Sequence, residues 1–227
     1  IVYTSSVATL GLNQDGSPAN ENTPSSYIDA TGFYKRTKYQ AEQVVKKLTD
    51  DYALPLVIVN PSTPIGPGDI RPTPTGRIVV DTLNDRMPAY VNTGLNIAHV
   101  DDIALGHLLA FERGVPGERY ILGGDNMTLL EILQTIDEIE GTRRRRTNIP
   151  HGIMLPMAWC MEKIAMITRC EPRATLDSIR MAKKLMYFSS DKARHELGYH
   201  HRPSVEAIQD AVRWFKDNHY CGTSQLQ

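Results

Sequence analysis

Tyr34-Lys35-Arg36-Thr37-Lys38 brings together the side chains of a proton-transfer site. On a helix, residues four apart share a face, so the Tyr34 phenol and the Lys38 ammonium would point into one cleft. A fixed cation beside a phenol favours its ionised form and makes it a usable general acid or base near neutral pH. Ser6 stands at the carboxyl end of a strand-like run, Ile1-Val2-Tyr3-Thr4-Ser5-Ser6, and would hydrogen-bond the substrate oxygen that gains or loses the proton. Thr4, Ser5 and Thr9 are neighbours that could share that work.

The same spacing also describes an exposed helix with an ordinary charged face, so the flanking elements decide. A Gly/Pro/Asn/Ser-rich loop from Gly11 to Ser26 precedes the pair, and a helical apolar stripe of Ala41, Val44, Val45 and Leu48 follows it. The next apolar run, Leu54-Pro55-Leu56-Val57-Ile58-Val59, is continuous rather than alternating, as a strand buried on both faces should be. Strand, loop, helix and buried strand in that order predict a parallel α/β sheet. Ligands of such sheets bind beyond the carboxyl ends of the strands, where Ser6 and Asn60-Pro61-Ser62-Thr63 both fall.

These pieces resemble the extended short-chain dehydrogenase/reductase superfamily, whose members pair a Ser/Thr, Tyr and Lys triad with a nicotinamide dinucleotide. Thr4-Ser5-Ser6-Val7-Ala8-Thr9-Leu10-Gly11 looks like its serine strand, and Asn60 to Asp69 looks like the segment that passes the nicotinamide. Asn96-Ile97-Ala98-His99-Val100-Asp101-Asp102-Ile103-Ala104 resembles the element that leads a helix back to the nucleotide domain. Arg71-Pro72-Thr73-Pro74-Thr75-Gly76-Arg77 and Arg119-Tyr120-Ile121-Leu122-Gly123-Gly124 look most like hopanoid-associated sugar epimerases. The resemblance implies a Rossmann-type doubly wound parallel sheet with a smaller, mostly helical substrate domain. Residues 1–123 would be the carboxyl-terminal part of the dinucleotide-binding domain, with 64–99 crossing to the substrate side, and 124–227 would bind substrate.

By the same resemblance, Tyr34 would be the proton carrier, Lys38 would hold the nicotinamide ribose and Ser6 would orient the reacting oxygen. Thr4, Ser5, Tyr34, Lys38, Pro61, Ser62 and Thr63 would contact NAD or NADP, and Thr9, Arg71, Arg77 and Arg180 a substrate of nucleotide-sugar type. A homodimer through the Tyr34–Lys38 helix is implied as well. The alternatives are an NADPH-dependent carbonyl reductase of dihydroflavonol-reductase type, and a relative that keeps the fold without turnover. One departure is large: the Gly-rich fingerprint between first strand and first helix is absent, and so is the residue that chooses between NAD and NADP. With no initial Met, the expectation is that roughly a hundred residues of nucleotide-binding half precede Ile1.

A net charge of −1 argues against nonspecific nucleic-acid binding, and the uncharged stretch from Gly152 to Met161 is too short to span a bilayer. Cys160, Cys170 and Cys221, odd in number and without metal-type spacing, suit a reducing compartment; a cytoplasmic protein without a metal is expected. Thr128-x-x-Glu131 predicts a capping box that opens a helix closed at Gly141; a second helix should end at Gly198, and Ser204 should cap a third. Asp101 and Asp102 read as a helix start and His99 as a packed interior residue. Arg143 to Arg146 reads as a solvated loop ahead of a phosphate grip, and Met154, Met157, Met161 and Met166 as adaptable core.

Overall fold

A strand enclosed on both faces must be apolar throughout, and Leu56-Val57-Ile58-Val59 supplies that run. A computed structural model, which describes residues 1–27, 32–150, 152 and 184–221, makes it the centre of a three-stranded parallel sheet. β1 (Val2–Thr4) lies on one side of β2 (Val57–Pro61), Val2 opposite Val57, and β6 (Arg119–Leu122) lies on the other. The connection from β1 to β2 runs through α1 (Phe33–Tyr52), and α3 (Val100–Arg113) precedes β6. Val57, Val59, Tyr120 and Leu122 of this sheet form one core with Ile103 and Ala110 of α3 and with Ala193 and Leu197 of α5 (Asp191–Leu197). This is the Rossmann-like arrangement of parallel strands and covering helices that the residue pattern predicts.

A second sheet is built around β5 (Gly94–His99). It pairs in parallel with β3 (Thr63–Ile65) and β9 (Leu185–Met186), and antiparallel with β7 (Asp125–Thr128). Three helices cover it: α2 (Pro74–Leu83), α4 (Leu129–Ile139) and α6 (Ser204–Asp217). Their Val79, Ile132, Ile136, Ile208, Val212 and Phe215 pack on Ile65 and Ile97. β4 (Ala89–Tyr90) and β8 (Thr147–Asn148) form a small parallel pair. Among the described residues no helix is long and apolar enough to cross a membrane. The methionine-rich segment, Cys160, Cys170 and Arg180 lie outside the described residues.

Some helix ends follow local chemistry and others do not. Thr128 and Glu131 close the capping box of α4, while Gly141 at φ 64° and Gly198 at φ 72° take the left-handed conformation that stops a helix. At α3, however, the cap is the ring of His99, whose Nδ1 accepts the Asp101 amide at 3.0 Å; buried Asp102 instead grips Arg202 through both its oxygens. Ser204 does not cap α6 either, because its hydroxyl donates to the Ile97 carbonyl at 2.7 Å and so ties the helix to β5. In α1 the expected stripe is split: Ala41 and Val45 are half-buried, but Val44 and Leu48 are 58% and 42% exposed, whereas Glu42 is buried.

The arginine run alternates. Arg143 and Arg145 are exposed, while Arg144 and Arg146 meet the buried Asp137 carboxylate at 2.7 and 2.5 Å, and Arg146 also bonds the Met87 carbonyl. Half the run therefore anchors the turn after α4. Removing one partner of a buried ion pair leaves an uncompensated charge and costs about 3 kcal/mol or more. Asp137→Ala should lower stability by about that amount in urea denaturation, while Arg145→Ala should stay within about 0.5 kcal/mol. Equal effects of the two substitutions would reduce the arginines to solvated loop residues.

Candidate active site

β1 ends at Thr4, but the ladder continues one residue further, because the Ser5 amide donates to the Val59 carbonyl at 2.8 Å. Ser6 is extended (φ −166°, ψ 152°) and opens a single 3₁₀ turn, Val7–Thr9. Its Oγ accepts the Ala8 amide at 3.1 Å, and its hydroxyl hydrogen has no acceptor among the described residues. Ser6 thus serves as a cap and still has a proton to offer an oxygen brought to it. The neighbouring hydroxyls are committed: Thr4 Oγ1 pairs with His107 Nε2 at 3.0 Å, and Ser5 and Thr9 both turn inward.

They turn toward Glu42. One carboxylate oxygen, Oε2, accepts from Ser5 Oγ at 2.5 Å, Thr9 Oγ1 at 2.7 Å and Asn60 Nδ2 at 3.0 Å. The other, Oε1, faces Lys46 and Arg119, each at 3.3 Å. Asn60 Nδ2 also reaches the Ser6 carbonyl at 3.0 Å, and Thr9 Oγ1 lies 2.8 Å from that same carbonyl. Because the Ser6 carbonyl and Glu42 are both acceptors, the Asn60 amide must present nitrogen to them. Its Oδ1 is left buried and unpartnered among the described residues, as is Ser62 Oγ two positions on.

Tyr34 and Lys38 occupy the first turns of α1, on the helix that carries Glu42. The Tyr34 ring is 61% exposed and Lys38 is half-buried. The helix N-terminus has no side-chain cap and no acidic residue in its first turn. A cleft of about 580 Å³ is lined by Thr9, Leu10, Ser25, Lys35, Tyr39 and Lys184, among others. Burial, and then the nearby Lys184 charge, push the Lys35 ammonium below the ordinary lysine range.

The structure therefore gathers Ser5, Ser6, Thr9 and Asn60 against the helix of Tyr34 and Lys38, with Pro61, Ser62 and Thr63 leading away from the same strand end. Thr9, expected to meet substrate, has its hydroxyl engaged with Glu42. Arg71 is exposed, and exposed Arg77 borders a separate depression with Pro72, Pro74 and Met87. Sequence reasoning missed Glu42, although its place eight residues after Tyr34 and four after Lys38 was a usable signal. Among the described residues no group of three His, Cys, Asp or Glu is placed to hold a metal ion.

Residues 1–123 match the model of the NAD dependent epimerase/dehydratase family. A protein of Synechocystis sp. (strain ATCC 27184 / PCC 6803 / Kazusa), provisionally named dihydroflavonol 4-reductase, is 43% identical over 226 residues, covering 98% of this chain and 66% of its own length. The crystal structure of gox2253 is 49% identical with a TM-score of 0.85, over 98% of this chain and 67% of that one. PA4631, a nucleoside-diphosphate-sugar epimerase from Pseudomonas aeruginosa, is 28% identical with a TM-score of 0.77, over 98% and 68%. The chain thus spans about two thirds of the length of each of these proteins.

Burial works to raise the Glu42 carboxyl, but the Ser5 and Thr9 hydroxyls, the Lys46 charge and the Asn60 amide outweigh it and hold the group below its ordinary 4.5. A carboxyl depressed by folding adds stability above its unfolded-state value, and that stability is lost as pH falls through the folded-state value. The stability difference between wild type and Glu42→Gln should therefore be flat from about pH 7 to about pH 5 and shrink at lower pH. Urea denaturation across that range reads it; a difference unchanged down to about pH 3 would mean that the charge contributes nothing.

Proposed function

The chain belongs to the NAD-dependent epimerase/dehydratase family, and from that premise we propose that it carries the Ser6–Tyr34–Lys38 chemistry of a sugar epimerase or dehydratase acting on a nucleotide-sugar. The observation that carries the reading is the joining of the Ser6 turn to the Tyr34–Lys38 helix through one buried carboxylate. The likeness to PA4631, a nucleoside-diphosphate-sugar epimerase, supports the substrate class. A second reading, a one-way carbonyl reductase, is favoured by the 43% identity to the Synechocystis protein and needs the same three residues.

The residues present fit a nicotinamide dinucleotide. Ser62 Oγ and Asn60 Oδ1 are buried polar atoms without partners among the described residues, at the carboxyl end of β2, where ligands of such sheets bind. Pro61, Ser62 and Thr63 would border the nicotinamide, and Lys38 would hold its ribose hydroxyls. Thr4 and Ser5 would contribute backbone only, since their hydroxyls are engaged with His107 and Glu42. A nicotinamide bound there would supply the hydride chemistry, reversibly if the enzyme is an epimerase.

Tyr34 moves the proton. In the oxidising direction its phenolate takes the hydroxyl proton, and in the return direction the phenol gives it back to the ketone oxygen. The Lys38 ammonium, one turn along the same face, is placed to stabilise the phenolate that stands before the first transfer and after the second. Ser6 donates its uncommitted hydroxyl hydrogen to the same substrate oxygen and holds it within reach of Tyr34.

Turnover by the full-length protein tests this. A nucleotide-sugar panel with NAD⁺, read by sugar analysis, would give inversion without net change in nicotinamide absorbance for an epimerase. A carbonyl panel with NADPH would give one NADPH consumed per alcohol formed for a reductase. With whichever substrate reacts, Tyr34→Phe should lower kcat by about 100-fold or more while nicotinamide affinity stays within about twofold. Lys38→Met should damage both quantities. Unchanged turnover in Tyr34→Phe would sink the assignment, and tight nicotinamide binding with no turnover on either panel would favour a non-catalytic relative.

A further inference from the structure

We propose that Glu42 is a positioning residue of this site, whose buried carboxylate sets the distance between the turn that presents Ser6 and the helix that presents Tyr34 and Lys38. Tyr34, Lys38 and Glu42 are spaced i, i+4 and i+8 on α1. They therefore lie along one side of the helix, drifting by about 40° per step, with Tyr34 and Glu42 about 12 Å apart along the axis. Whatever Glu42 grips is held in register with the two groups above it.

What it grips is the serine turn, from both sides. Ser5 Oγ and Thr9 Oγ1 bracket Ser6 in sequence, and both end on Oε2. Asn60 Nδ2 ends on the same oxygen and bridges to the Ser6 carbonyl, so the strand end of β2 is locked into the arrangement. The serine turn and the end of β2 thus converge on a single atom of α1. Lys46 and Arg119 face Oε1 and balance the charge without touching the serine turn. Glu42 itself meets no substrate; it acts through Ser5, Thr9 and Asn60.

The division of labour between the two oxygens supplies the test. A glutamine can present its single carbonyl oxygen where Oε2 sits and keep all three donors, whereas alanine keeps none. The inference rests on the Ser6–Tyr34–Lys38 reading, so Tyr34→Phe serves as the reference variant. In the full-length protein, with UDP-glucose and NAD⁺ and with 9,10-phenanthrenequinone and NADPH as probe pairs, Glu42→Ala should lower kcat about 100-fold with KM and nicotinamide Kd within about threefold. Glu42→Gln should recover turnover to within about tenfold of wild type. A structural role alone would move the melting temperature of both variants without this split between kcat and KM or this rescue.

If Glu42→Ala keeps wild-type kcat at a temperature where it is folded, or if glutamine rescues nothing while its circular dichroism matches wild type, the positioning role is wrong. Should Glu42→Ala fail to fold, the glutamine variant and Ser5→Ala with Thr9→Val, which remove two of the three donors, carry the same comparison. Wild-type turnover that survives Tyr34→Phe, or no wild-type turnover on either pair, brings down the parent reading and this inference with it. Loss in Tyr34→Phe with none in any Glu42 variant brings down this inference alone.

Discussion

Glu42 places a formal negative charge inside the protein, and a buried carboxylate is tolerated only when its lone pairs are filled by donors or cations. Two hydroxyls, one amide and two cationic side chains fill them, drawn from the serine turn, the end of β2, the start of β6 and α1 itself. Because every donor must arrive, each element must sit where its donor reaches. The fold elsewhere is held by apolar contact around the two sheets, but α1 is held differently. Its Val44, Leu48 and Tyr52 are exposed, and its buried residues are the polar Glu42 and Thr49. The helix that carries the proposed proton carrier is thus located by directional bonds, which fix distance and angle in a way that apolar packing does not.

Sequence pattern captured what is decided locally. β2 could be read because a strand covered on both faces needs an unbroken apolar run, and the ends of α4 and α5 because a capping box and a left-handed glycine are chemistry within a few residues. Helix α1 could be placed, but its orientation could not. The rule that apolar residues face inward assigned Val44 and Leu48 to the core, and the pull of a buried charge network reversed it. Ser204 failed as a cap for a related reason, and Asp102, in the first turn of α3 as expected, is spent away from the helix end. Each found a partner far along the chain, Ile97 and Arg202, which a local reading cannot weigh. The arginine run illustrates the intermediate case: alternation of faces follows from the spacing, but the acceptor, Asp137, is known only once α4 is folded.

The candidate site shows the same asymmetry. Ser6, Tyr34 and Lys38 stand out in the sequence because their types and spacing are chemical signals in themselves. Asn60 and Glu42 do not, since neither performs chemistry alone. Asn60 matters because its amide has two ends in different roles: Nδ2 is consumed by the Ser6 carbonyl, Thr9 and Glu42, and Oδ1 is buried without a partner among the described residues. Its contribution is to hold the serine turn to the end of β2, which no residue-type signal announces.

The two halves of the site also differ in how finished they are. The Ser6 half rests on a buried, hydrogen-bonded base, with Ser5, Thr9, Asn60 and Glu42 each no more than 4% exposed. The Tyr34 ring, by contrast, is 61% exposed, and proton transfer at an oxygen is efficient where water is excluded and charges interact strongly. On the proposed chemistry, that ring is covered by what binds beside it. A dinucleotide laid along the carboxyl ends of the strands and a substrate held by Ser6 are the two surfaces that the chemistry itself brings there. A preformed serine half and a half completed by its ligands would let binding assemble the catalytic geometry, so that Tyr34 is desolvated only when there is a proton to move.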